Sequence, residues 1–383
     1  MTAMSVEIRL HRSLEEIAPD QWAALATDDN PFVSYPFLAA LERQHCVGPH
    51  AGWEPRFLGA WQSDQLVGAV PLYMKSNSYG EFVFDWSWAD AYRQFGGNYY
   101  PKLVVAVPYT PATGPRLLLR PEADTQSTGL ALIRAAIDLA RENNLSSLHW
   151  LFPVAGELPL LESAGMNRRI GVQYHWNNPG YRDFQDYLDS LTASKRKMVR
   201  RERRRVAEQG IEIRRFWGDE LDDEQWRTVY ALYAEIYQRK WGYATLTEGF
   251  FREVGRALGR QTLIFLAYHR GRCVAGAIEF VGGGVLYGRH WGCFEHFDQL
   301  HFELCYYQGI EMAIEQGWRR FEPGAQGEHK IARGFLPVKT YSAHWIAHPQ
   351  FRRAVERFLA AETREMEEII EDLGTHSPFR REA

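Results

Sequence analysis

The chain contains the same order of predicted elements twice, and this repeat constrains the fold more than any other feature. Residues 55–74 are typical of a β-hairpin, and residues 66–70 within it read LVGAV. Residues 263–280 are typical of another hairpin, and residues 274–278 read VAGAI. An amphipathic helix and a further strand follow in both halves. Chance similarity between two α/β segments is the alternative explanation. We expect an α/β (α+β) protein of two tandem units, each a mixed sheet flanked by helices.

The chain length also favours two domains, because a single hydrophobic core rarely extends over 383 residues. The boundaries predicted from the sequence are 1–185 for domain 1, 186–212 for a basic helical linker, and 213–383 for domain 2. Domain 2 ends in a predicted C-terminal helix that has Pro349 in its first turn.

The predicted linker is strongly basic. Eight of the eleven residues from 195 to 205 are Lys or Arg, and Glu202 is the one acid among them. A helix here presents a broad basic face that can neutralise phosphates of tRNA or of a nucleotide-linked substrate. The alternative is a linker helix with solvated charges. The residues predicted to bind phosphate are Lys195, Arg196, Arg200, Arg203 and Arg204.

Several function classes lose support from what the sequence lacks. The net charge is only −4, so no overall field attracts nucleic acid, and we expect no DNA binding. The four cysteines form no CxxC pair, and GxGxxG, GxxxxGK[ST] and HExxH motifs are absent. We therefore expect no metal and no cofactor. With no signal segment and no apolar run of about 18–20 residues, we expect a soluble cytoplasmic protein without membrane insertion.

The segment from residue 322 to 346 concentrates groups suited to acyl transfer. Glu322 ends an apolar run, a glycine-rich turn follows, and His329, Lys330 and Arg333 lie within five positions. An amine that attacks an activated acyl carbonyl needs a base, a donor to the developing oxyanion and an anchor for the carrier. Lys330 and Arg333 are the candidates for holding a phosphate or a terminal carboxylate. The alternative is a connection between strands whose charges are solvated.

The identity of the base is open among four residues. Glu279 lies near the end of the second hairpin, and Glu322 ends a strand, although carboxylates at strand ends are often paired structurally. His290 and His329 are alternatives with a pKa nearer neutrality. Arg289, beside His290, is assigned to substrate binding.

The segment from residue 81 to 100 is expected to bind the acceptor, because it is rich in aromatic residues and carries two acids. Thirteen Trp and nineteen Tyr exceed what packing usually requires, which indicates stacking or sugar-binding surfaces. The candidate acceptor-binding residues are Asp85, Trp88, Asp90, Tyr92, Tyr99 and Tyr100.

Three longer motifs resemble a known family. They are EFVFDWSWADAY (81–92), NYYPKL with AVPYTPATGPRLL (98–118), and GEHKIARGFLPVKTYSAHW (327–345). They look like the Fem-related predicted N-acyltransferases of bacteria, which are labelled peptidoglycan biosynthesis or recognition proteins. The resemblance covers nearly the whole chain, and it implies two tandem GNAT-like (acyl-CoA N-acyltransferase) domains.

The resemblance also implies a reaction. Fem enzymes transfer an aminoacyl group from aminoacyl-tRNA to an amine of a peptidoglycan precursor. Lys330, upstream of Gly334-Phe335, occupies a place similar to the lysine that binds and polarises the substrate in that family. Acetyl-CoA-using relatives carry an RxxGxG/A loop, which is missing between residues 290 and 304. This departure favours aminoacyl-tRNA as the donor, with acyl-CoA as the alternative.

Two functional hypotheses follow. The first is an N-acyltransferase whose donor lies over the basic helix and Lys330, with the acceptor at residues 81–100. The second is a module that recognises cell-wall fragments through those aromatic residues without turnover. Nucleic-acid regulation depends on the basic helix alone and has the weakest support.

Overall fold

The computed structural model describes residues 6–25, 29–241, 243–325 and 327–380. The chain divides into two compact units: unit 1 comprises Met1–Gly171 and Lys339–Glu368, and unit 2 comprises Val172–Val338 and Ile369–Ala383. These units are not the consecutive segments 1–185, 186–212 and 213–383 that we expected. Each unit combines separate stretches of sequence, because a late strand and part of the last helix join unit 1.

The strands of the described residues, in chain order, are β1 (Glu7–His11), β2 (Trp53–Pro55), β3 (Phe57–Gln62), β4 (Gln65–Val70), β5 (Leu72–Lys75), β6 (Lys102–Val105), β7 (Leu118–Leu119), β8 (Ser147–Leu151), β9 (Asn167–Asn177), β10 (Ile211–Trp217), β11 (Thr262–His269), β12 (Arg272–Gly282), β13 (Val285–Cys293), β14 (Arg320–Glu322) and β15 (Leu336–Ile346).

The helices of the same residues are α1 (Pro19–Ala23), α2 (Tyr35–Arg43), α3 (Trp86–Gln94), α4 (Thr125–Glu142), α5 (Leu158–Ser163), α6 (Phe184–Ser190), α7 (Ala193–Glu208), α8 (Asp223–Trp241), α9 (Glu248–Leu258), α10 (Leu300–Phe302), α11 (Gln308–Glu315) and α12 (Pro349–Thr375). A π-helical segment, Glu303–Tyr307, joins α10 to α11, and a 3₁₀ turn, Glu328–Arg333, follows β14. Within the described ranges, no helix combines the length and apolarity needed to cross a membrane.

Unit 1 contains two sheets. The first is antiparallel with the order β1-β3-β4-β7, and the second has the order β15-β8-β6-β5-β2, in which β6 and β8 run parallel. Helix α4 packs on these strands because its apolar residues recur every three or four positions. The buried residues of this stripe are Leu132, Ile133, Ala136, Ile137 and Ala140, and they share one core with residues of β3, β6 and β8.

Unit 2 contains a sheet with the order β10-β11-β12-β13-β14-β9. Its neighbours pair antiparallel except for β13 and β14, which pair in parallel through three residue pairs and end at Tyr287 and Glu322. Beyond that point β13 continues to Cys293, while the chain after β14 turns away at Pro323. The ring of Phe321 packs on α11, where a Cβ at Gly309 would lie 2.5 Å from a ring carbon.

The predicted repeat is visible in the element order. Unit 1 runs β1, α1, α2, the hairpin β3–β4, and later α4 and β8. Unit 2 runs β10, α8, α9, the hairpin β11–β12, and later α11 and β14. Both predicted hairpins are confirmed by antiparallel pairing. Their turns place Ser63 and Arg270 in the left-handed region, with φ of 55° and 51°.

The basic segment is a helix but not a separate linker. Helix α7 buries Val199, Glu202 and Val206 at positions i, i+3 and i+7, and both valines belong to the core of unit 2. Its apolar face is narrow, but it is enough to fix the helix against the π-helical segment. The basic helix is therefore part of unit 2.

Candidate functional site

Lys330 lies in the 3₁₀ turn Glu328–Arg333, which is bordered by Gly327 and Gly334 with φ of 113° and 86°. These values favour glycine. The Lys330 side chain is 2% exposed, and its Nζ donates a hydrogen bond to Gly324 O at 2.7 Å. Within the described part of the chain, no carboxylate lies within ion-pair distance of this ammonium. Burial lowers the pKa of Lys330 to about 8.

His329 is the neighbour of Lys330, and its ring is exposed. Its Nε2 lies 2.9 Å from the hydroxyl oxygen of Tyr306, which belongs to the π-helical segment. Partial burial and the cations of Arg333 and Lys330 lower the pKa of His329 below its usual value. The imidazole is therefore neutral at pH 7 and can accept a proton.

Aromatic rings surround this part of unit 2. His301 lies 5.2 Å from Trp291 on β13, 5.6 Å from Tyr306 and 6.5 Å from His329, measured between ring centroids. Phe302 lies 5.6 Å from His329. A π-helical segment widens the helix here, and such segments occur frequently at functional sites.

Glu279 is the buried carboxyl of this region. It lies on β12 opposite Gly288, and it shares a strand face with Ala277 and Val281, which pack in the core that contains the π-helical segment. Neither carboxyl oxygen has a hydrogen-bond partner among the described residues. Burial raises the pKa of Glu279 well above its ordinary value, which favours the neutral acid over the carboxylate.

The thiol of Cys305 interacts electrostatically with both Glu279 and Lys330. Burial raises the pKa of Cys305 well above that of a free cysteine. The thiol stays protonated at neutral pH, which disfavours it as a nucleophile.

Two other candidate bases lie on the opposite face of the sheet. The carboxylate of Glu322 is 2.7 Å from Arg320 and 3.8 Å from His175, and burial raises its pKa to about 7. His290 lies edge-on to Tyr233 at 4.9 Å, on the side of α8. Burial holds the pKa of His290 well below its ordinary value. Neither group shares the sheet face of Glu279.

A bulge in β13 explains the position of His290. Ile278 pairs with His290 while Glu279 pairs with Gly288, so Arg289 is the additional residue. Burial lowers the pKa of Arg289 to about 10, and Tyr237 and Tyr233 on α8 oppose that shift electrostatically. Arg289 and His290 thus belong to the α8 side of the sheet.

Arg333 is held inside the protein. Its Nη2 donates hydrogen bonds to both carboxylate oxygens of Glu202 at 2.8 and 2.9 Å, and its Nε donates to the hydroxyl of Tyr307 at 3.0 Å. The guanidinium also lies 3.6 Å from the ring centroid of Phe302. The substrate-binding role expected for Arg333 has no free carboxylate- or phosphate-binding edge to support it.

The basic residues of α7 divide into two groups. Four of them are exposed at positions i, i+3, i+4 and i+7 and form one face, which we call the outer basic face: Lys197, Arg200, Arg201 and Arg204. Of the other cations, Arg205 is also exposed and pairs with Asp298 at 3.2 Å, whereas Lys195, Arg196 and Arg203 are half-buried. Arg203 pairs with Glu303 and Glu311 at 3.0 and 3.1 Å, and Arg196 pairs with Asp189 at 3.1 Å. Of the five predicted phosphate-binding residues, Arg200 and Arg204 lie on the outer basic face.

The predicted acceptor residues lie mainly in the interior of unit 1. Lys102 Nζ contacts Asp85 and donates to Glu81 and Ser78, both at 2.9 Å, and Tyr99 donates to Asp85 at 2.6 Å.

Three of the remaining acceptor candidates also contact other residues of unit 1, and the fourth is exposed. Trp88 is buried, 4.9 Å from the ring of His344, and Tyr92 packs against the ring of Phe351 at 5.0 Å. Tyr100 shares a hydrogen bond with Ser78 at 2.7 Å. Asp90 is exposed and pairs with Arg93. The exposed aromatic residues nearby are others: Tyr79, Phe82, Phe84, Trp86 and Phe95.

The comparisons with known proteins decide the family. The model of the FemAB-like family, described as peptidoglycan biosynthesis/recognition, matches residues 13–381. The chain belongs to the FemAB-like family. No curated protein matches it.

Solved structures show the fold of this FemAB-like protein. The crystal structure of FemX matches with a TM-score of 0.54 at 13% identity, covering 91% of this chain and 100% of that one. The structure of L-PGS from Bacillus licheniformis matches with a TM-score of 0.50 at 13% identity, covering 90% and 96%. A tandem GNAT protein from the clavulanic acid biosynthesis pathway has a TM-score of 0.48 at 15% identity, covering 90% and 99%. The chain has the fold of FemX and L-PGS, with two units and mixed sheets flanked by helices, as expected.

Some residues of this FemAB-like site were not found from the sequence. Tyr306 and His301 lie beside His329 in the structure, and Trp291 lies beside His301, yet each occurs in an apolar run where an aromatic residue normally belongs to the core. One signal in the sequence was the spacing of His301 and Cys305 by four positions, which places two residues on the same face wherever the segment is helical. In the described part of the chain, no group of three or more His, Cys, Asp and Glu side chains is arranged to hold a metal ion.

Proposed function

We propose that this FemAB-like protein is an N-acyltransferase that moves an aminoacyl or acyl group from an activated donor to an amine. Aminoacyl-tRNA is the favoured donor, acyl-CoA is the alternative, and a peptidoglycan precursor is the favoured acceptor. The observation that carries the proposal is Lys330, a buried ammonium that, among the described residues, makes one hydrogen bond and faces no carboxylate. Its remaining N–H groups are available to an oxyanion.

The proposed step is an acyl transfer through a tetrahedral intermediate. The amine nitrogen attacks the carbonyl carbon of the donor, and Lys330 donates hydrogen bonds to the oxygen as negative charge develops there. His329 takes the proton that the nitrogen loses. When the bond from the carbonyl carbon to the leaving oxygen or sulfur breaks, His329 returns that proton to the leaving group.

His329 suits the role of base better than the three other candidates. It is next to Lys330, its ring is exposed, and its pKa is lowered, so it is unprotonated at pH 7. Glu279 is 1% exposed, and burial raises its pKa, which disfavours the carboxylate form that a base requires. Glu322 and His290 lie on the other face of the sheet.

The outer basic face of α7 supports the choice of a polyanionic donor. Four cations with one orientation repel one another, and phosphates relieve that repulsion. A direct assay with defined donors and acceptors tests this choice.

Purified protein is to be incubated with charged tRNA or acetyl-CoA and with a muropeptide precursor or hydroxylamine as the amine. We expect donor to be consumed, and we expect Lys330→Met to reduce the rate by about 10²–10³-fold, the usual effect of removing an oxyanion donor. Lys339→Met is the matched control, because Lys339 is exposed and pairs with Glu367 on the surface. Full turnover in Lys330→Met would refute the assignment. Binding of a muropeptide without consumption of any donor would favour the recognition module.

A further inference from the structure

The Arg333–Glu202 pair is buried in unit 2. Arg333 and Glu202 are 4% and 7% exposed, and hydrogen bonds of 2.8, 2.9 and 3.2 Å join the guanidinium to the carboxylate. Tyr307 completes the group, because it hydrogen-bonds to Glu202 and accepts from Arg333 Nε at 3.0 Å. The group is therefore fixed in one geometry by hydrogen bonds on several sides.

The two partners come from the two elements that the proposed function requires. Glu202 is on the inner face of α7, between Val199 and Val206. Arg333 is the last residue of the 3₁₀ turn that carries Lys330, and its Nη1 donates to the carbonyl oxygen of His329 at 2.8 Å. Arg333 thus bonds at once to α7 and to the backbone immediately before Lys330.

Stability alone does not explain a group of this kind. Burying an ion pair costs solvation energy, and an apolar pair of similar volume is often at least as stable. The single acid in the most basic stretch of the chain is the one that Arg333 binds. What the pair supplies is a fixed direction for the turn, since a bidentate interaction between a guanidinium and a carboxylate allows little rotation.

We propose that Glu202 and Arg333 are positioning residues that hold the turn with His329 and Lys330 at one place on α7. This inference rests on the proposed function, because it assigns His329 and Lys330 to the reaction. The outer basic face and Glu202 lie on opposite sides of one helix about 10 Å across. A phosphate-bearing donor that binds the outer basic face is then held at a fixed position relative to the turn that carries His329 and Lys330.

The test uses the full chain with Arg333→Lys, which keeps the charge and removes the bidentate interaction, and with the double variant Glu202→Met/Arg333→Met. Each variant is measured for kcat, for KM of the charged tRNA, and for the pH dependence of kcat. We expect kcat to fall by about tenfold in both variants while KM for the donor stays unchanged. At alkaline pH kcat is expected to fall as Lys330 loses its proton, and we call this fall the alkaline limb of the profile. In both variants the alkaline limb should move to higher pH, because a loosened turn exposes Lys330 to water and its pKa rises.

A matched control separates positioning from a general weakening of the helix. Arg205→Lys changes another ion pair of α7, the exposed pair with Asp298 at 3.2 Å, and is expected to leave kcat and the alkaline limb unchanged. Wild-type kcat and an unmoved limb in Arg333→Lys, at an unchanged unfolding temperature, would overturn the proposal.

Hydrogen exchange distinguishes failure of this inference from failure of the proposed function. Amides of residues 328–334 are expected to exchange faster in Arg333→Lys than in wild type, while those of β12 stay protected. If the wild type transfers no acyl group from any donor, the proposed function fails. Unchanged exchange in the turn would then refute positioning by itself.

Discussion

Two buried lysines of this chain differ in what surrounds them. Lys102, in unit 1, meets two carboxylates, Glu81 and Asp85, within 3 Å. Lys330, in unit 2, meets the carbonyl oxygen of Gly324 and, within the described residues, no carboxylate. Although burial alone would lower it, the pKa of Lys102 is raised by its acidic partners. The pKa of Lys330 is lowered to about 8.

The contrast separates a lysine that completes a fold from one that is available to a substrate. An ammonium with two carboxylate partners has its charge and its hydrogen bonds satisfied, so little is left for a ligand. An ammonium buried without a counter-ion is costly, and such groups concentrate at functional sites. This explains why the acids and aromatic residues around Lys102 form an interior, whereas the turn of Lys330 keeps unused hydrogen-bond donors.

A lowered pKa is not sufficient by itself. Burial also lowers the pKa of Lys75 to about 7, yet its Nζ lies 3.8 Å from the ring centroid of Trp53 and donates to Tyr79 O at 3.0 Å. Lys330 differs because an exposed neutral imidazole, His329, adjoins it in the chain. What distinguishes Lys330 from the other buried lysines is therefore the neighbouring His329 as well as its own lowered pKa.

The largest expected effect is on stability in unit 1. Lys102→Met leaves Glu81 and Asp85 buried without their cation, and we expect a loss of about 3–5 kcal/mol in the free energy of unfolding. Urea denaturation at pH 7 measures it. The control is Lys197→Met on the exposed face of α7, which should change stability by less than about 0.5 kcal/mol. A loss of similar size in both variants would remove the distinction between the two lysines.

The same substitution at Lys330 should act in the opposite direction. The folded pKa of Lys330, about 8, is below its unfolded value of 10.5, so the unfolded chain binds more protons between these pH values. Native stability therefore rises with pH across that window. Lys330→Met is expected to gain at most about 3 kcal/mol over wild type at pH 7.

Denaturation at pH 7, 8, 9 and 10 follows the difference between Lys330→Met and wild type. The difference should shrink as pH rises, because the wild-type lysine loses its buried charge. A destabilised Lys330→Met at pH 7 would mean that the ammonium has a stabilising partner and that the two lysines are alike.

Some features of the fold and of the candidate site could be predicted from the sequence, and others could not, for physical reasons. The repeat, both hairpins and the position of Lys330 follow from local patterns. The partner of Arg333 does not, because Glu202 is 131 positions away and lies in a helix that reads as uniformly basic. Regular strand alternation would place His290 on the sheet face of Glu279, but the bulge at Arg289 moves it to the other face, and no local pattern reveals that bulge.

The side chains at residues 81–100 are a second case in which the sequence did not give the spatial arrangement. Composition indicated a binding surface, but it does not reveal which way each residue of a loop faces. Ser78, Glu81 and Asp85 point inward to Lys102, and Tyr79 and Phe84 are exposed. The inward direction is set by Lys102, a residue that the acceptor hypothesis did not include.

A third prediction uses the pH dependence of the reaction to sharpen the comparison. Lys330 must be protonated to stabilise an oxyanion, and His329 must be neutral to accept a proton. We expect kcat to rise with pH below neutrality, as His329 loses its proton. We expect kcat to fall above about pH 8, as Lys330 loses its proton. The direction of each limb follows from the role of the group.

Lys330→Arg separates the two limbs, because a guanidinium stays charged to a pH above about 12. The variant should lose the alkaline limb and keep the acidic one, whatever its absolute rate. His329→Gln should lose the acidic limb. An alkaline limb that persists in Lys330→Arg would assign it to another group.

The smallest expected effect concerns the donor. Replacing Lys197, Arg200, Arg201 and Arg204 with Gln should weaken binding of a charged tRNA and reduce the slope of log Kd against log salt by about 0.7–0.9 for each phosphate that the variant no longer neutralises. Arg205→Gln is the control, because Arg205 pairs with Asp298 beside that face. Neither change touches Glu202, so kcat at saturating donor should hold. An unchanged salt slope in the fourfold variant would make α7 a purely structural helix, and Lys330 would then be available to an uncharged or smaller donor.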